Sequence, residues 1–272
     1  MRWTDLGTHD APLLLFGGPY SNLHALQALL EIGASAGISG ARMICTGDVV
    51  AYGASPAETV ARIRASGCQV IAGNVERQLG AGAGTCGCGF APGSICDRLS
   101  AGWFAHADAV ISAGDRAWME ALPDIATFRH HGARYAVIHG GARDVARFIW
   151  ASDRDAVFTE ELAAIADLVG PVDGVIAGHS GLPFVRHVAD AVWINAGVIG
   201  MPPNDGAPAT RFARLEQGRA SLQRLDYDHA EASAAMTAAG LVQGYETALL
   251  TGYWPSEDVL PAALRVAASD RG

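Results

Sequence analysis

Four polar side chains in this sequence have the types and the spacing of a metal-ligand set. They are one carboxylate, one amide and two imidazoles, at Asp48, Asn74, His139 and His179. Each follows a short apolar run and stands next to a glycine. Any one of them alone would be an ordinary turn residue. Together, these nitrogen and oxygen ligands suit one borderline divalent ion such as Zn, Mn or Fe, so the sequence predicts a divalent metal site.

The apolar runs before these four residues are typical of parallel β-strands. The clearest unit runs from the strand before Asp48, through a helix opened by Ser55 and Pro56, to a second strand before Asn74. Strands and helices alternating at this length predict a mainly parallel sheet. The carboxyl ends of such strands share one edge of the sheet, where ligands usually bind. We therefore expect all four side chains at one edge.

The remaining elements are predicted from the same patterns. Further strands are expected at 12–16, 135–138, 174–177 and 192–195, a helix at 113–122, and an antiparallel hairpin over 211–225. No second domain boundary is evident, so one domain is predicted over residues 1–272. A segment rich in Gly, Ala and Cys fits the apolar period of neither a helix nor a strand, and it predicts a loop insertion at about 77–102.

The composition excludes several functional classes. Half of the 272 residues are hydrophobic, which predicts a globular chain with a sizeable core. A formal net charge of -9 argues against binding to nucleic acid or to a membrane surface. No run approaches the ~20 apolar residues of a membrane span, and the N-terminal apolar run is too short for a signal peptide. The sequence thus predicts a cytoplasmic protein that binds neither nucleic acid nor a membrane.

Three cysteines in the predicted loop form a second candidate site. Cys86, Cys88 and Cys96 have the spacing C-x-C-x7-C. Thiolates at this spacing can bind Zn or an iron centre, or take part in redox exchange. The alternative is three small buried residues in a tight loop. Cys45 and Cys68 lie in or beside core strands and are predicted to be packing residues.

The motifs together resemble the calcineurin-like metallophosphoesterase superfamily, and more closely its small bacterial and archaeal phosphodiesterase branch. The matching motifs are GDVVAYGASP at 47–56, GN at 73–74, HG at 139–140, GHSGLPF at 178–184 and NAGVIGMP at 195–202. Order and spacing agree over residues 12–227. The resemblance implies an α/β fold, a four-layer αββα sandwich of two mixed sheets. It also implies a dinuclear metal centre at the strand ends.

Only one of the two metal sites implied by the resemblance is complete. Asp48 corresponds to the bridging carboxylate, and Asn74, His139 and His179 to the other ligands of that site. The second site lacks its ligands, since Gly18, Tyr20 and Gly181 stand at their positions. The histidine that protonates the leaving group in the family is replaced by Val75. The sequence therefore predicts one divalent ion per chain.

Two further residues are candidates for catalysis. Tyr20 can ligate a metal or donate a proton, and it can equally be a packed aromatic residue. Glu76 stands where the family often has Asp, and it is predicted to orient the metal ligands rather than to act as an acid. An isolated glycine pair at Gly17 and Gly18 can bind an anion through backbone N–H groups, or simply form a tight turn.

These observations leave three functional hypotheses open. The first is a metal-dependent phosphoesterase with an altered, mononuclear centre, acting on mono- or diesters. The second is a non-catalytic protein of the same fold that binds a ligand or regulates. The third is a new activity at the cysteine loop. The first two predict a small phosphorylated molecule as substrate or ligand.

Overall fold

The computed structural model describes residues 1–266, and in this range eleven strands form two mixed sheets. The strands are β1 (Trp3–Thr8), β2 (Leu13–Phe16), β3 (Met43–Cys45), β4 (Gln69–Val70), β5 (Ile125–His130), β6 (Ala133–Val137), β7 (Gly174–Ala177), β8 (Phe184–Val188), β9 (Ala191–Asn195), β10 (Thr210–Glu216) and β11 (Arg219–Leu225). The α-helices are α1 (Leu23–Ser35), α2 (Pro56–Ser66), α3 (Asn74–Gly80), α4 (Ile95–Val110), α5 (Ala113–Ala121), α6 (Asp155–Val169), α7 (His229–Ala238) and α8 (Tyr245–Thr251). No helix in this range combines the length and apolar character needed to span a bilayer.

Each sheet has a parallel part that carries the functional edge. The five-stranded sheet has the order β11-β10-β2-β3-β4, and β2, β3 and β4 are parallel. The six-stranded sheet has the order β1-β5-β6-β7-β9-β8, and β6, β7 and β9 are parallel. The predicted hairpin is confirmed, because β10 and β11 pair antiparallel in continuous register.

The two sheets stack face to face, and each outer face is covered by helices. The core between the sheets contains Leu13, Leu15, Phe128, Val137 and Ile176. The alternate residues of β2 point the other way, against α1 and α2. Helix α6 covers the outer face of the six-stranded sheet. Because β2 is buried on both faces, its sequence is apolar without interruption. The predicted four-layer αββα sandwich is thereby confirmed.

The cysteine-rich segment is more regular than the predicted loop at 77–102. Helix α3 continues to Gly80 and α4 begins at Ile95, so only residues 81–94 are irregular. The Oγ of Ser94 accepts a hydrogen bond from the backbone N–H of Asp97 and caps α4. Trp103 and Phe104 bury one face of that helix. The predicted insertion was therefore too long at both ends.

Candidate metal site

The four predicted ligands come together, two from each sheet. Asp48 lies just beyond β3, and Asn74 is the first residue of α3 after β4. His139 and His179 each lie two residues beyond the end of their strands, β6 and β7. All four side chains are buried. The carboxyl edges of both sheets thus deliver their polar residues to one point between the layers.

The ligand atoms cluster around Nε2 of His139. This nitrogen is 2.9 Å from Nδ1 of His179, 3.0 Å from Oδ1 of Asn74 and 3.3 Å from Oδ2 of Asp48. The candidate ligand atoms of Asp48, His139 and His179 all lie within 4.8 Å of one another. Among the residues described, this is the one group of three or more His, Cys, Asp or Glu side chains so arranged.

Neighbouring hydrogen bonds turn acceptor atoms toward this centre. Nδ1 of His139 is 2.6 Å from the backbone oxygen of Thr46, which can only accept, so this nitrogen carries the proton in the neutral ring. Nε2 of the neutral ring is then an acceptor. Nδ2 of Asn74 donates to the backbone oxygen of Cys86 at 3.0 Å, which directs Oδ1 inward. Four acceptors at this spacing repel one another unless a proton or a cation lies between them.

The spacing and the donor set fit a divalent ion. Ligands about 2.1 Å from an ion are about 3.0 Å apart in octahedral and about 3.4 Å apart in tetrahedral coordination. The separations of 2.9–3.3 Å from Nε2 of His139 match that range, and the ligand atoms of Asp48, His139 and His179 lie within 4.8 Å of one another. Two imidazoles, a carboxylate and an amide oxygen suit Zn, Mn or Fe.

The charges of the three titratable ligands are set by burial and by one another. Burial and the neighbouring His139 lower the pKa of His179 to about 3, so its ring stays neutral. Burial lowers the pKa of His139, but Asp48 reverses the effect and the net pKa is raised. Burial raises the pKa of Asp48, but His139 and His179 outweigh it and the net pKa is lowered. The lowered pKa of Asp48 and the raised pKa of His139 thus reflect the mutual stabilisation of a carboxylate and a neighbouring positive charge, which a bound cation would also supply.

Glu76 connects the two turns of the five-stranded sheet through backbone hydrogen bonds. Its carboxylate is fully buried and accepts backbone N–H groups of Asp48 at 2.7 Å, Val49 at 2.8 Å and Gly73 at 2.8 Å. Asp48 has a φ of 55°, a left-handed conformation that costs energy in a non-glycine residue. Burial and the charge of Asp48 raise the pKa of Glu76 to about 7.

Gly73 allows the carboxylate and the imidazole to approach each other. A Cβ at this position would lie 2.2 Å from Oδ1 of Asp48 and 2.8 Å from Cε1 of His139. Any larger residue would therefore displace a ligand. The glycine in the GN motif has a direct steric role in the site.

The ring of Tyr20 occupies the space beside Gly18, a position at which the resemblance implied a ligand of a second ion. A Cβ on Gly18 would come within 2.4 Å of Cε1 and 2.7 Å of Cζ of this ring. A carboxylate at position 18 would have to project into the same space. Burial and then the charge of Asp48 raise the pKa of Tyr20 well above its usual value, so the phenol stays protonated. Its role as a metal-ligating phenolate is therefore not favoured.

A largely aromatic pocket with a cavity volume of about 60 Å³ opens beside these side chains. Asp48 and His179 form part of its wall. Its aromatic lining, which sequence patterns did not indicate, comprises Tyr20, Tyr52, Phe90, Phe148, Tyr245 and Trp254. Among the described residues that line the pocket there is no Lys or Arg. The ring of Phe148 contacts the ring of His179, with centroids 4.4 Å apart.

The cysteines do not form the predicted three-thiolate metal site. Cys86 and Cys88 are joined by a disulfide, and a sulfur in a disulfide is not a thiolate ligand. Cys96 is free and buried, and it lines the aromatic pocket together with Cys88. Cys45 is buried in the core and Cys68 is partly buried against it, as expected for packing residues.

Solved structures share this architecture. A metallophosphoesterase from Sphaerobacter thermophilus is similar with a TM-score of 0.68 at 21% sequence identity, covering 90% of this chain and 100% of that one. The hypothetical protein PH1004 from Pyrococcus horikoshii OT3 is similar with a TM-score of 0.72 at 15% identity, covering 89% and 98%. No family model and no curated protein sequence matches the chain. The chain therefore has the metallophosphoesterase fold, as its motifs implied.

Proposed function

We propose that this chain is a metal-dependent phosphoesterase that uses one divalent ion, Mn, Zn or Fe. The ligands are Asp48, Asn74, His139 and His179. The observation that carries the proposal is the convergence of three candidate ligand atoms, from Asp48, Asn74 and His179, on Nε2 of His139. When bound, the ion would polarise a phosphoryl oxygen and lower the pKa of a water molecule. The similarity to a solved metallophosphoesterase supports the same class of reaction.

The proposed stoichiometry is one ion per chain. The ring of Tyr20 fills the space next to Gly18, where the family places a carboxylate ligand of the second ion. Gly181 offers no side chain at the position of another lost ligand. Gly18 and Gly181 thus supply no side-chain ligand at two of the positions of the second site.

The lining of the pocket favours a phosphate diester over a monoester. A monoester carries close to two negative charges at neutral pH, since its second pKa is about 6, and a diester carries one. Apart from the proposed ion, whose charge Asp48 partly neutralises, no basic side chain of the described lining is present to balance the extra charge. Aromatic walls favour an apolar or aromatic ester group. We therefore propose a diester of this kind as the substrate class.

Tyr20 supplies a proton donor for the proposed reaction. It lines the pocket next to Asp48, and its raised pKa keeps the hydroxyl protonated at neutral pH. A hydrogen bond from this hydroxyl to the leaving oxygen would replace part of the function of the histidine lost at Val75. Val75 itself is fully buried and apolar.

A non-catalytic protein is the second candidate, and the same replacements favour it. The Tyr20 ring beside Gly18 and the buried Val75 remove a metal site and an acid from the family mechanism. Such a protein would still bind one ion and one phosphorylated ligand. Turnover is the property that separates the two candidates.

The test compares bis(p-nitrophenyl) phosphate with p-nitrophenyl phosphate at saturating Mn²⁺. We expect Mn-dependent release of p-nitrophenol, with a higher kcat/KM for the diester. Asp48→Asn keeps the shape and tolerates the left-handed backbone, and it should reduce kcat/KM by at least about 100-fold. Asp190→Asn, at an exposed turn, is the matched control and should change nothing. Metal binding without turnover of either ester would favour the non-catalytic candidate.

A further inference from the structure

The Cys86–Cys88 disulfide directly contacts one of the metal ligands. Nδ2 of Asn74 donates to the backbone oxygen of Cys86 at 3.0 Å and to Sγ of Cys88 at 3.5 Å. Both hydrogen bonds of this amide group therefore go to the two bonded cysteines. Gly87 between them has a φ of 62°, which permits the tight turn.

We propose that Cys86 and Cys88 are a reversible redox couple whose disulfide state holds Asn74 as a metal ligand. The coupling to the ion rests on the proposed metal site, whereas the redox couple itself does not. The co-reactant is a small thiol or its disulfide. Disulfides in cytosolic proteins, the compartment predicted for this chain, are usually catalytic or redox-sensing.

Both cysteines are largely buried, with 5% of Cys86 and 7% of Cys88 exposed, but they line two openings. Cys88 forms part of the wall of the aromatic pocket that contains Asp48 and His179. Both cysteines also line a second hollow, bordered by Phe90 and Phe104. Thiol exchange requires such access to one sulfur of the disulfide.

The exchange conserves atoms, electrons and protons. The thiolate of a small thiol attacks one sulfur, a mixed disulfide forms, and the Cys86–Cys88 bond breaks. A second small thiol attacks the mixed disulfide and releases the symmetric small disulfide. The protein gains two electrons and two protons, both supplied by the two small thiols. Oxidation by the small disulfide reverses each step.

Reduction would loosen the hydrogen-bond partners of Asn74. Residues 81–94 are irregular and contain five glycines, of which Gly82, Gly87, Gly89 and Gly93 have left-handed φ. Once the disulfide opens, the backbone of this segment is less restricted, and the acceptors that orient the Asn74 amide are no longer held. Losing an outer partner of a metal ligand typically weakens metal binding about 10–100-fold.

The first test counts thiols in chelator-treated protein, so that it does not depend on metal. The chain has five cysteines, of which Cys45, Cys68 and Cys96 are free. We expect three reactive thiols per denatured chain before reduction, five after a thiol reductant, and three again after oxidised glutathione. Five thiols in the protein as purified under air, or failure to return to three, would overturn the redox couple.

The second test is a glutathione redox titration of the metal-free protein. Asn74→Asp keeps the shape but replaces the donor by a carboxylate that faces the Cys86 carbonyl. We expect it to shift the equilibrium toward the dithiol about tenfold, about 30 mV. Asn195→Asp is the control, because this buried Asn forms its hydrogen bonds with Ser180 and Gly197 and not with a cysteine. It should leave the redox equilibrium unchanged. An Asn74→Asp shift below threefold, or toward the disulfide, would overturn the coupling to Asn74.

The third test measures Mn²⁺ affinity, because Mn²⁺ prefers oxygen and nitrogen to thiolates. We expect the reduced wild type and Cys86→Ser/Cys88→Ser to bind Mn²⁺ at least about tenfold more weakly than the oxidised wild type. Cys68→Ser is the control for cysteine loss and should bind normally. Equal affinity in both redox states would overturn the effect on the ion. If neither state bound Mn²⁺, the proposed function and the effect on the ion would fail together, while the metal-free tests would still decide the redox couple.

Discussion

The aromatic ring of Tyr20 stands where a side chain on Gly18 would have to be, with Cε1 2.4 Å from the position of a Cβ. Gly18→Asp should therefore destabilise the fold by about 1–3 kcal/mol through overpacking, measured by urea unfolding. Gly18→Asp with Tyr20→His should recover part of this loss, because the smaller ring leaves room, and should bind more than one Mn²⁺ per chain. Tyr20→His alone is the control. If the double variant lost as much free energy of unfolding as the two single variants together, the ring of Tyr20 would not be what obstructs a side chain at position 18.

His139 is the central ligand, since its Nε2 is within 3.3 Å of each of the other three. His139→Gln removes this nitrogen and should weaken Mn²⁺ binding by at least about 100-fold, more than the loss of an outer partner. Isothermal titration calorimetry would measure it. His187→Gln, on the exposed side of β8, should bind like the wild type. Unchanged affinity in His139→Gln would place the ion elsewhere.

A bound ion should raise the thermal stability of the native chain. Free Mn²⁺ at 100 times Kd adds about 2.7 kcal/mol if it binds only the folded state. For a chain of this size we expect a rise in Tm of about 5 °C or more, reversed by chelation. Differential scanning calorimetry of the wild type and His139→Gln would test this. An equal rise in both proteins would indicate binding outside the proposed ligands.

The buried carboxylate of Glu76 binds three backbone N–H groups across two turns. Glu76→Gln keeps the shape but places an amide N–H₂ against at least one of these donors. We expect a loss of about 2–4 kcal/mol in the free energy of unfolding, together with weaker Mn²⁺ binding, because Asp48 is no longer held in its left-handed conformation. Glu58→Gln, an exposed position at the start of α2, controls for the lost charge. Normal Mn²⁺ affinity in Glu76→Gln would show that Asp48 holds its position unaided.

Trp254 tests whether the aromatic pocket receives the ester group. Trp254→Ala should lower kcat/KM for an aryl phosphodiester about tenfold, mainly through KM, and leave Mn²⁺ affinity unchanged. Trp118→Ala removes an aromatic ring that stacks with Arg64 away from this pocket, and it should have no such effect. An unchanged KM in Trp254→Ala would mean that the substrate does not enter this pocket.

The convergence of Asp48, Asn74, His139 and His179 was predictable because each follows an apolar strand and stands beside a glycine. The strand predicts the edge of the sheet that the polar residue reaches, and the glycine predicts the tight turn. At Gly73 the absence of a Cβ is required, since a Cβ would clash with Asp48. Glu76 was singled out through the family resemblance, because the family often has Asp at its position. The order of these elements in the sequence therefore specified which side chains meet.

Other features depend on contacts that no local pattern records. Strand β1 is largely exposed and lacks an apolar alternation, so only its pairing with β5 defines it. Helix α4 begins within a Gly- and Cys-rich segment whose composition obscured its buried face. The aromatic pocket combines residues from positions 20 to 254, and the bond between Cys86 and Cys88 depends on the turn at Gly87. Tertiary packing decides each of these.

The two sheets contribute equally to the cluster around His139. Asp48 and Asn74 follow strands of the five-stranded sheet, and His139 and His179 follow strands of the six-stranded sheet. An ion bound by all four side chains would link the two sheets. At this edge the sheets are otherwise joined by hydrogen bonds such as the one between His139 and Thr46. Binding or release of an ion at the cluster would then change how strongly the two sheets are held together. The rate of global unfolding would therefore depend on whether an ion is bound next to Nε2 of His139.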